Sequence, residues 1–492
     1  MSLLINWPAR GLVIVWLACL VTCCSGFAAE RTESFDRDPK WDGRNHRSRA
    51  FAIRTIKQNF GYSASHRAGG RARGELGGFI TPDARPAFYA RRIPPQTLHN
   101  KLTASGTVVC SGRQFHVLLG LFNSSTVNDW RTPNTIALRL YGRDRVFYAY
   151  LEYATAKWRA GGDNPTPFPQ IRDPKTGKKR QSGFSTGDKH TWTLQYDPDG
   201  NGGRGQVTAT IDGQTAVCHL DAGHKADGAT FNRFGLLNVM KHADDGGELW
   251  LDDMTINGET EHFDQDPKWD ALNNRLSYQT SSVRPRFDFG HSPTQHAGGR
   301  SPGELGGLVF RGDCRYPDRM AYYGDRVQGL SLNTPLRASG QISLRRGVSD
   351  STTLIGFFHD SSSMRVQASQ ASGIPRCFAG VAVEGPSREG FLLYPLYRVD
   401  GSAQAFARDA DRPHILPDGR PHRWTLDYAP GAAQGRGQFT VTLDGHPVTL
   451  ALGPGHREIG ARFNRFGIVT TWIDGNGQRI FFDDLTYTIS NE

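Results

Sequence analysis

Apolar and polar residues alternate over short stretches of this chain, and the scheme occurs twice. Trp192, Leu194 and Tyr196 alternate with Thr193 and Gln195. After a glycine-rich turn, Val207, Ala209 and Ile211 alternate with Thr208 and Thr210, and Asp212-Gly213 follows. Trp424, Leu426 and Tyr428, then Phe439, Val441 and Leu443 before Asp444-Gly445, repeat the scheme. A period of two buries one side of a strand and wets the other, and a glycine-rich turn between two such strands makes an antiparallel hairpin. Leu118 to Phe122 and Ile480 to Phe482 are short apolar runs suited to central strands. Helical periodicity over a dozen residues is absent. The pattern predicts an all-β chain of two tandem sandwiches.

The two halves are copies. Phe35-Asp36-Arg37-Asp38-Pro39-Lys40-Trp41-Asp42 returns as Phe263-Asp264-Gln265-Asp266-Pro267-Lys268-Trp269-Asp270. Asn45 and Arg47 recur as Asn273 and Arg275, and Ala68-Gly69-Gly70-Arg71 recurs as Ala297 to Arg300. Gly74-Glu75-Leu76-Gly77-Gly78 matches Gly303 to Gly307. His190 and His422, Asn232 and Asn464, and Asp252-Asp253 and Asp483-Asp484 also correspond. A repeat of this length exceeds a solenoid unit, so it is a copied domain. The expected division is residues 31–258 and 259–492, with the boundary between Ile256 and Phe263.

Length supports this division: 492 residues fit two all-β domains of roughly 200–250 residues each. The 57 glycines, with no collagen period, fit many tight turns between strands. The net charge of +10 is spread along the chain, apart from Lys178-Lys179-Arg180. Spread charge favours weak attraction to anionic surfaces over a nucleic-acid groove.

Residues 1–29 read as a secretory signal: Arg10, an apolar run from Gly11 to Cys24, and small residues in Gly26-Phe27-Ala28. The run is shorter than the ~20 residues of a spanning helix, and no later segment could span a membrane. Leu20-Val21-Thr22-Cys23 loosely resembles a lipobox, which would anchor the chain through Cys23. The expected location is secreted, periplasmic or cell-surface. After cleavage Cys110, Cys218, Cys314 and Cys377 remain. They are either paired within each half, as Cys110–Cys218 and Cys314–Cys377, or left as buried thiols.

The closing elements of each copy are a W-T-L-x-Y strand, a glycine turn, a strand ending in Asp-Gly, then R-F-G and a final Asp-Asp strand. They resemble concanavalin A-like lectin/glucanase jelly rolls of the LamG type. The opening F-D-x-D-P-x-W-D motif and the A-G-G-R…G-E-L-G-G segment resemble exported proteins of planctomycete-type bacteria. The resemblance covers residues 31–490 in two copies. It implies a jelly-roll fold, a class that hosts lectins, glycoside hydrolases, lyases and adhesion modules.

Glucanases of that class carry E-x-D-x-x-E on one strand, which alternation aims at one side; none occurs here. Glu75 and Glu304 stand alone, and Asp252-Asp253 point to opposite faces. The expectation is that neither unit brings two acids together over a groove, and no catalytic residue is assigned. Polar residues kept in both copies read as structural, with Arg71–Glu75 and Arg300–Glu304 as ion pairs or loop caps. The competing reading places Asn45, Arg47, Arg71 and Glu75 in one polar pocket for sugar hydroxyls or an anion. The copies differ most in their middles. Trp130, Arg131, Asn134, Tyr148, Tyr150, Tyr153, Trp158 and Arg159 cluster there in the first copy, as sugar-stacking and charge-holding groups or as core packing. Asp197, Asp199 and Asn201 have the spacing of a short calcium loop, or of an ordinary turn. The expected function is non-catalytic carbohydrate binding or adhesion, with a polysaccharide or glycoconjugate as partner, anionic polysaccharides among them. A polysaccharide-degrading hydrolase or lyase and a structural envelope protein are the alternatives.

Overall fold

The computed structural model describes residues 29–48, 53–111, 114–128, 132–370, 372–385 and 388–490. The signal segment up to residue 28, with Cys23, and the candidate site residues Trp130 and Arg131 lie outside them. Among the described residues no helix is long and apolar enough to cross a membrane.

The chain is almost all antiparallel β, in two sandwiches. In the first, one sheet runs Ala160–Gly162, Val146–Ala154, Thr135–Arg143, Gln114–Phe122, Thr230–Asn238, Phe88–Thr97 and Asp270–Leu272. The facing sheet is built around Gln206–Ile211, His190–Asp197, Leu102–Ser111, Gly247–Ile256, Glu75–Ile80, Arg54–Ser63 and Arg275–Thr280. Trp192, Leu194, Tyr196, Val207, Ala209 and Ile211 all enter the core between them, as the alternation requires. The second sandwich repeats this with Trp424, Leu426, Tyr428, Phe439, Val441 and Leu443 in its core.

The sequence repeat and the folded unit do not coincide. Residues 259–280 follow the predicted boundary, yet they pack on the first sandwich. Asp270–Leu272 pairs with Phe88–Thr97, Arg275–Thr280 pairs with Arg54–Ser63, and Phe263 is fully buried in the first core. The chain's own opening segment packs on the second sandwich instead. Ala29–Glu33 pairs with the final strand Gly477–Ile489, Asp42–Arg44 pairs with Tyr322–Ser331, and Phe35 and Trp41 enter the second core. Each copy's F-D-x-D-P-x-W-D motif thus completes the sandwich built by the other copy.

The paired-cysteine alternative is not realised. Cys110, Cys218, Cys314 and Cys377 are all buried free thiols. Cys110 and Cys218 lie on strands separated by two others in the sheet order. Register sets Cys218 level with Leu102, eight residues along the strand from Cys110. At roughly 4.8 Å per strand and 3.3 Å per residue their Cα atoms are about 30 Å apart, far beyond the reach of a disulfide. Burial pushes the Cys218 thiol up to about 12.

Polar residues shared by both copies hold loops. Glu75 is fully buried and accepts backbone N–H bonds from Arg67 (2.9 Å) and Ala68 (2.7 Å). Glu304 accepts from Ala297 N at 2.7 Å. The expected Arg71–Glu75 and Arg300–Glu304 ion pairs are not formed among the described residues, because the glutamates are taken by backbone. Asp252 and Asp483 lie beneath the same loops; a β-carbon on Gly70 would come within 2.1 Å of Asp252 Oδ2, so only glycine fits there. Burial pushes the Asp252 carboxyl up to about 6 and that of Asp483 to about 7. His190 and His422 bond the turn aspartates Asp212 (2.5 Å) and Asp444 (2.6 Å). Asn232 and Asn464 each accept a loop N–H, from Ser124 and Asp360.

Candidate functional site: the outer face of the first sandwich

On strand Val146–Ala154 the sandwich core takes Phe147, Ala149, Leu151 and Tyr153. Alternation therefore sends Tyr148, Tyr150 and Glu152 to the outer face. The neighbouring strand Thr135–Arg143 sets Tyr141 opposite Tyr148 and Arg139 opposite Tyr150. Gln114–Phe122 then sets His116 opposite Tyr141. The result is a row of rings across three strands. Tyr148 stacks on Tyr141 (6.4 Å between centroids, 26°), and Tyr141 lies 5.0 Å from the His116 ring. Tyr141, Tyr148 and Tyr150 are half-buried, held in place yet open on one side.

Charge flanks the row at both ends. Beyond Tyr148 a cavity of about 520 Å³ is lined by Arg143, Arg145 and Arg180, with Asp144 and Asp173. At the other end the Arg139 guanidinium lies 4.2 Å from the Tyr150 ring centroid. Its Nε donates to buried Glu152 at 2.6 Å and its Nη1 to His116 Nε2 at 2.7 Å. That bond needs a neutral imidazole. Burial, with Arg139, Lys241 and His242 nearby, holds the His116 pKa well below its ordinary value.

Arg139, Tyr150, Glu152 and Asp163 line a cavity of about 210 Å³ that Arg388 of the second sandwich completes. Asp163 accepts the Leu151 N–H at 2.6 Å. Burial, and secondarily Glu152, push its carboxyl up to about 6. The expectation that neither unit brings two acids into one groove is thereby corrected. Glu152 and Asp163 are eleven residues apart, and only the pairing of Glu152 with Gly162 makes them neighbours.

The second sandwich has a related face. Register aligns Gly120 with Gly356, and hence Tyr150 with Tyr394. A guanidinium again covers the ring: Arg412 lies 3.6 Å from Tyr394 and 5.3 Å from the exposed Phe406. Tyr394 donates to Glu384, which Arg311 binds at 2.9 Å. These groups line a cavity of about 290 Å³.

The remaining expected site residues lie elsewhere. Tyr153 faces the core, bonding His224 Nδ1 at 2.8 Å, and Tyr397 repeats this with His456. Trp158 packs against the second sandwich's core, and Arg159 pairs with Asp227 at 2.6 Å. Asn134 accepts the Thr230 N–H at 3.0 Å. Asn45 and Arg47 sit on the second sandwich, bonding Met320 O and Asp288, while Arg71 and Glu75 belong to the first. The four do not share a pocket. At the calcium-like turn, Asp197 accepts the Asp199 N–H, and the Lys225 ammonium bonds the carbonyls of Pro198 (2.7 Å) and Gly203 (3.0 Å). Arg457 bonds Pro430 and Gly435 in the same way. Among the described residues no group of three His, Cys, Asp or Glu side chains could hold a metal ion.

No family model matches the chain, and no curated protein matches it. Similar solved structures include domains LG4-5 of the mouse laminin alpha1 chain, at 10% identity and TM-score 0.24, over 84% of this chain and 96% of that one. The carbohydrate recognition domain of Emp47p aligns at 9% identity and TM-score 0.27, over 41% and 88%. A xylan beta-1,4-xylosidase from Bacillus halodurans C-125 aligns at 10% identity and TM-score 0.24, over 90% and 89%. At these scores the likenesses carry no argument about the site.

Proposed function

We propose that this chain binds an anionic polysaccharide or glycoconjugate, without catalysis, along the outer face of the first sandwich. The row Tyr148–Tyr141, continued by Tyr150 and ended on both sides by arginines, carries this reading. Half-buried tyrosines offer a rigid apolar face and a polar edge, which suits a sugar ring. Arg143, Arg145 and Arg180 supply planar donors that match a sulfate or carboxylate. A glycan array probed with the chain lacking residues 1–28 tests it. Binding should concentrate on acidic glycans and weaken as salt rises. Silence toward every neutral and acidic glycan would leave the sandwiches as structural spacers.

One observation favours a second reading, a polysaccharide hydrolase or lyase. Asp163, protonated up to about pH 6, shares a cavity with Glu152. Such a pair is the minimum for acid–base work on a glycosidic bond. Release of reducing ends or unsaturated products from a polysaccharide panel, abolished by Asp163→Asn, would establish it. No product over the range of about pH 5 to 8 would remove it.

A further inference from the structure

The two exchanged segments dock through matching contacts. In the second sandwich Tyr323 donates to Asp38 (3.1 Å), Arg326 and Arg465 donate to Asp42 (2.8 and 2.9 Å), and Asn45 donates to Met320 O (2.8 Å). In the first, Tyr89 donates to Asp266 (3.0 Å), Arg92 and Arg233 bind Asp270 (2.8 and 2.6 Å), and Asn273 donates to Pro86 O (2.9 Å). The apolar anchors match as well. Phe35 meets Trp41 edge-on at 5.1 Å, and Phe263 meets Trp269 at 5.2 Å. Each groove therefore recognises one motif, F-D-x-D-P-x-W-D, and each takes the copy that belongs to the other repeat's sequence.

The segments differ in tethering. Residues 259–280 continue directly from strand Gly247–Ile256 of the sandwich they complete. Residues 29–48 come from the far end of the chain, and their strand lies on a sandwich whose own first strand is Phe287–Ser292. The second groove is thus filled by a segment whose covalent attachment to it runs through the whole first sandwich. Nothing in the contacts distinguishes that segment from the same segment of another molecule.

We infer that the closing groove of the second sandwich also accepts residues 29–48 of a second copy of this chain, so that two chains associate by exchanging their opening segments. The contacts that residues 29–48 make with the groove are the same in the exchange, so local concentration weighs between the closed monomer and the exchanged dimer. Strand addition at the edge of Gly477–Ile489 provides the backbone pairing.

A trans disulfide tests this. Thr32 and Thr486 face each other with hydroxyl oxygens 3.0 Å apart. A chain carrying Thr32→Cys is co-expressed, in an oxidising compartment, with a differently tagged chain carrying Thr486→Cys. Cys19, Cys23 and Cys24 are serine in both. A single chain carrying both substitutions is the control and should close on itself. The inference predicts a covalent heterodimer joining the two tags, reduced at least tenfold when Trp41→Ala is added to the first chain. No heterodimer, with the doubly substituted chain closing fully as a monomer, would overturn it.

Discussion

Asp42 and Arg465 are 423 residues apart in the chain, yet Arg465 Nη2 donates to Asp42 Oδ2 at 2.9 Å. The contact joins the first described segment to one of the last strands, and Arg326 completes the clamp. Hydrogen bonds from Arg326 chiefly, then the Arg465 charge, hold the Asp42 carboxyl below its usual value. A depressed carboxylate stabilises the fold above its unfolded pKa of about 4, and the contribution is lost as pH falls below that. Asp42→Asn should lower the melting temperature at pH 7 by an amount corresponding to about 1 kcal/mol, because the pair is partly solvated. Asp270→Asn should do the same in the first sandwich. The difference from wild type should shrink in both as pH falls below about 4.

The two raised aspartates act with the opposite sign. Asp252 at about 6 and Asp483 at about 7 keep their protons in the folded chain at pH values where the unfolded chain has released them. Their contribution is full below about pH 4 and is lost as pH rises toward 7. Asp483→Asn should remove part of that loss, on the order of 2 kcal/mol, and flatten the stability profile between about pH 4 and 7. Thermal melts across that range check the slope.

Glu75→Gln should destabilise the first sandwich by about 2 kcal/mol without affecting glycan binding. The buried carboxylate accepts two backbone N–H groups, and an amide nitrogen would face one of them as a second donor. Unfolding curves and binding isotherms on the same variant separate the two effects.

Thiol titration in denaturant, without reductant, should count four reactive cysteines in a chain lacking residues 1–28, and none in the native state. A count of zero after unfolding would mean that the pairs form.

The architecture was legible because sandwich strands write their burial as alternation. Trp192, Leu194 and Tyr196 needed no other information. The same rule, applied to Val146–Ala154, separates Tyr148 and Tyr150, which face outward, from Tyr153, which faces the core. The exchange was not legible. Two near-identical segments satisfy two near-identical grooves, so the sequence does not say which fills which. Glu152 and Asp163 could not be paired either, since cross-strand register, not spacing, brings them to one cavity. Trp158 and Arg159 have the composition of a sugar site but serve contact between the sandwiches and loop anchoring.

Calorimetric titration with a sulfated or uronic-acid oligosaccharide measures the binding claim most directly, comparing wild type with Tyr148→Ala and with Arg143→Ala/Arg145→Ala. Loss of one stacking ring should weaken binding about tenfold, and loss of the two arginines should also reduce its salt dependence. Affinity unchanged in both variants would place the ligand elsewhere and contradict the account.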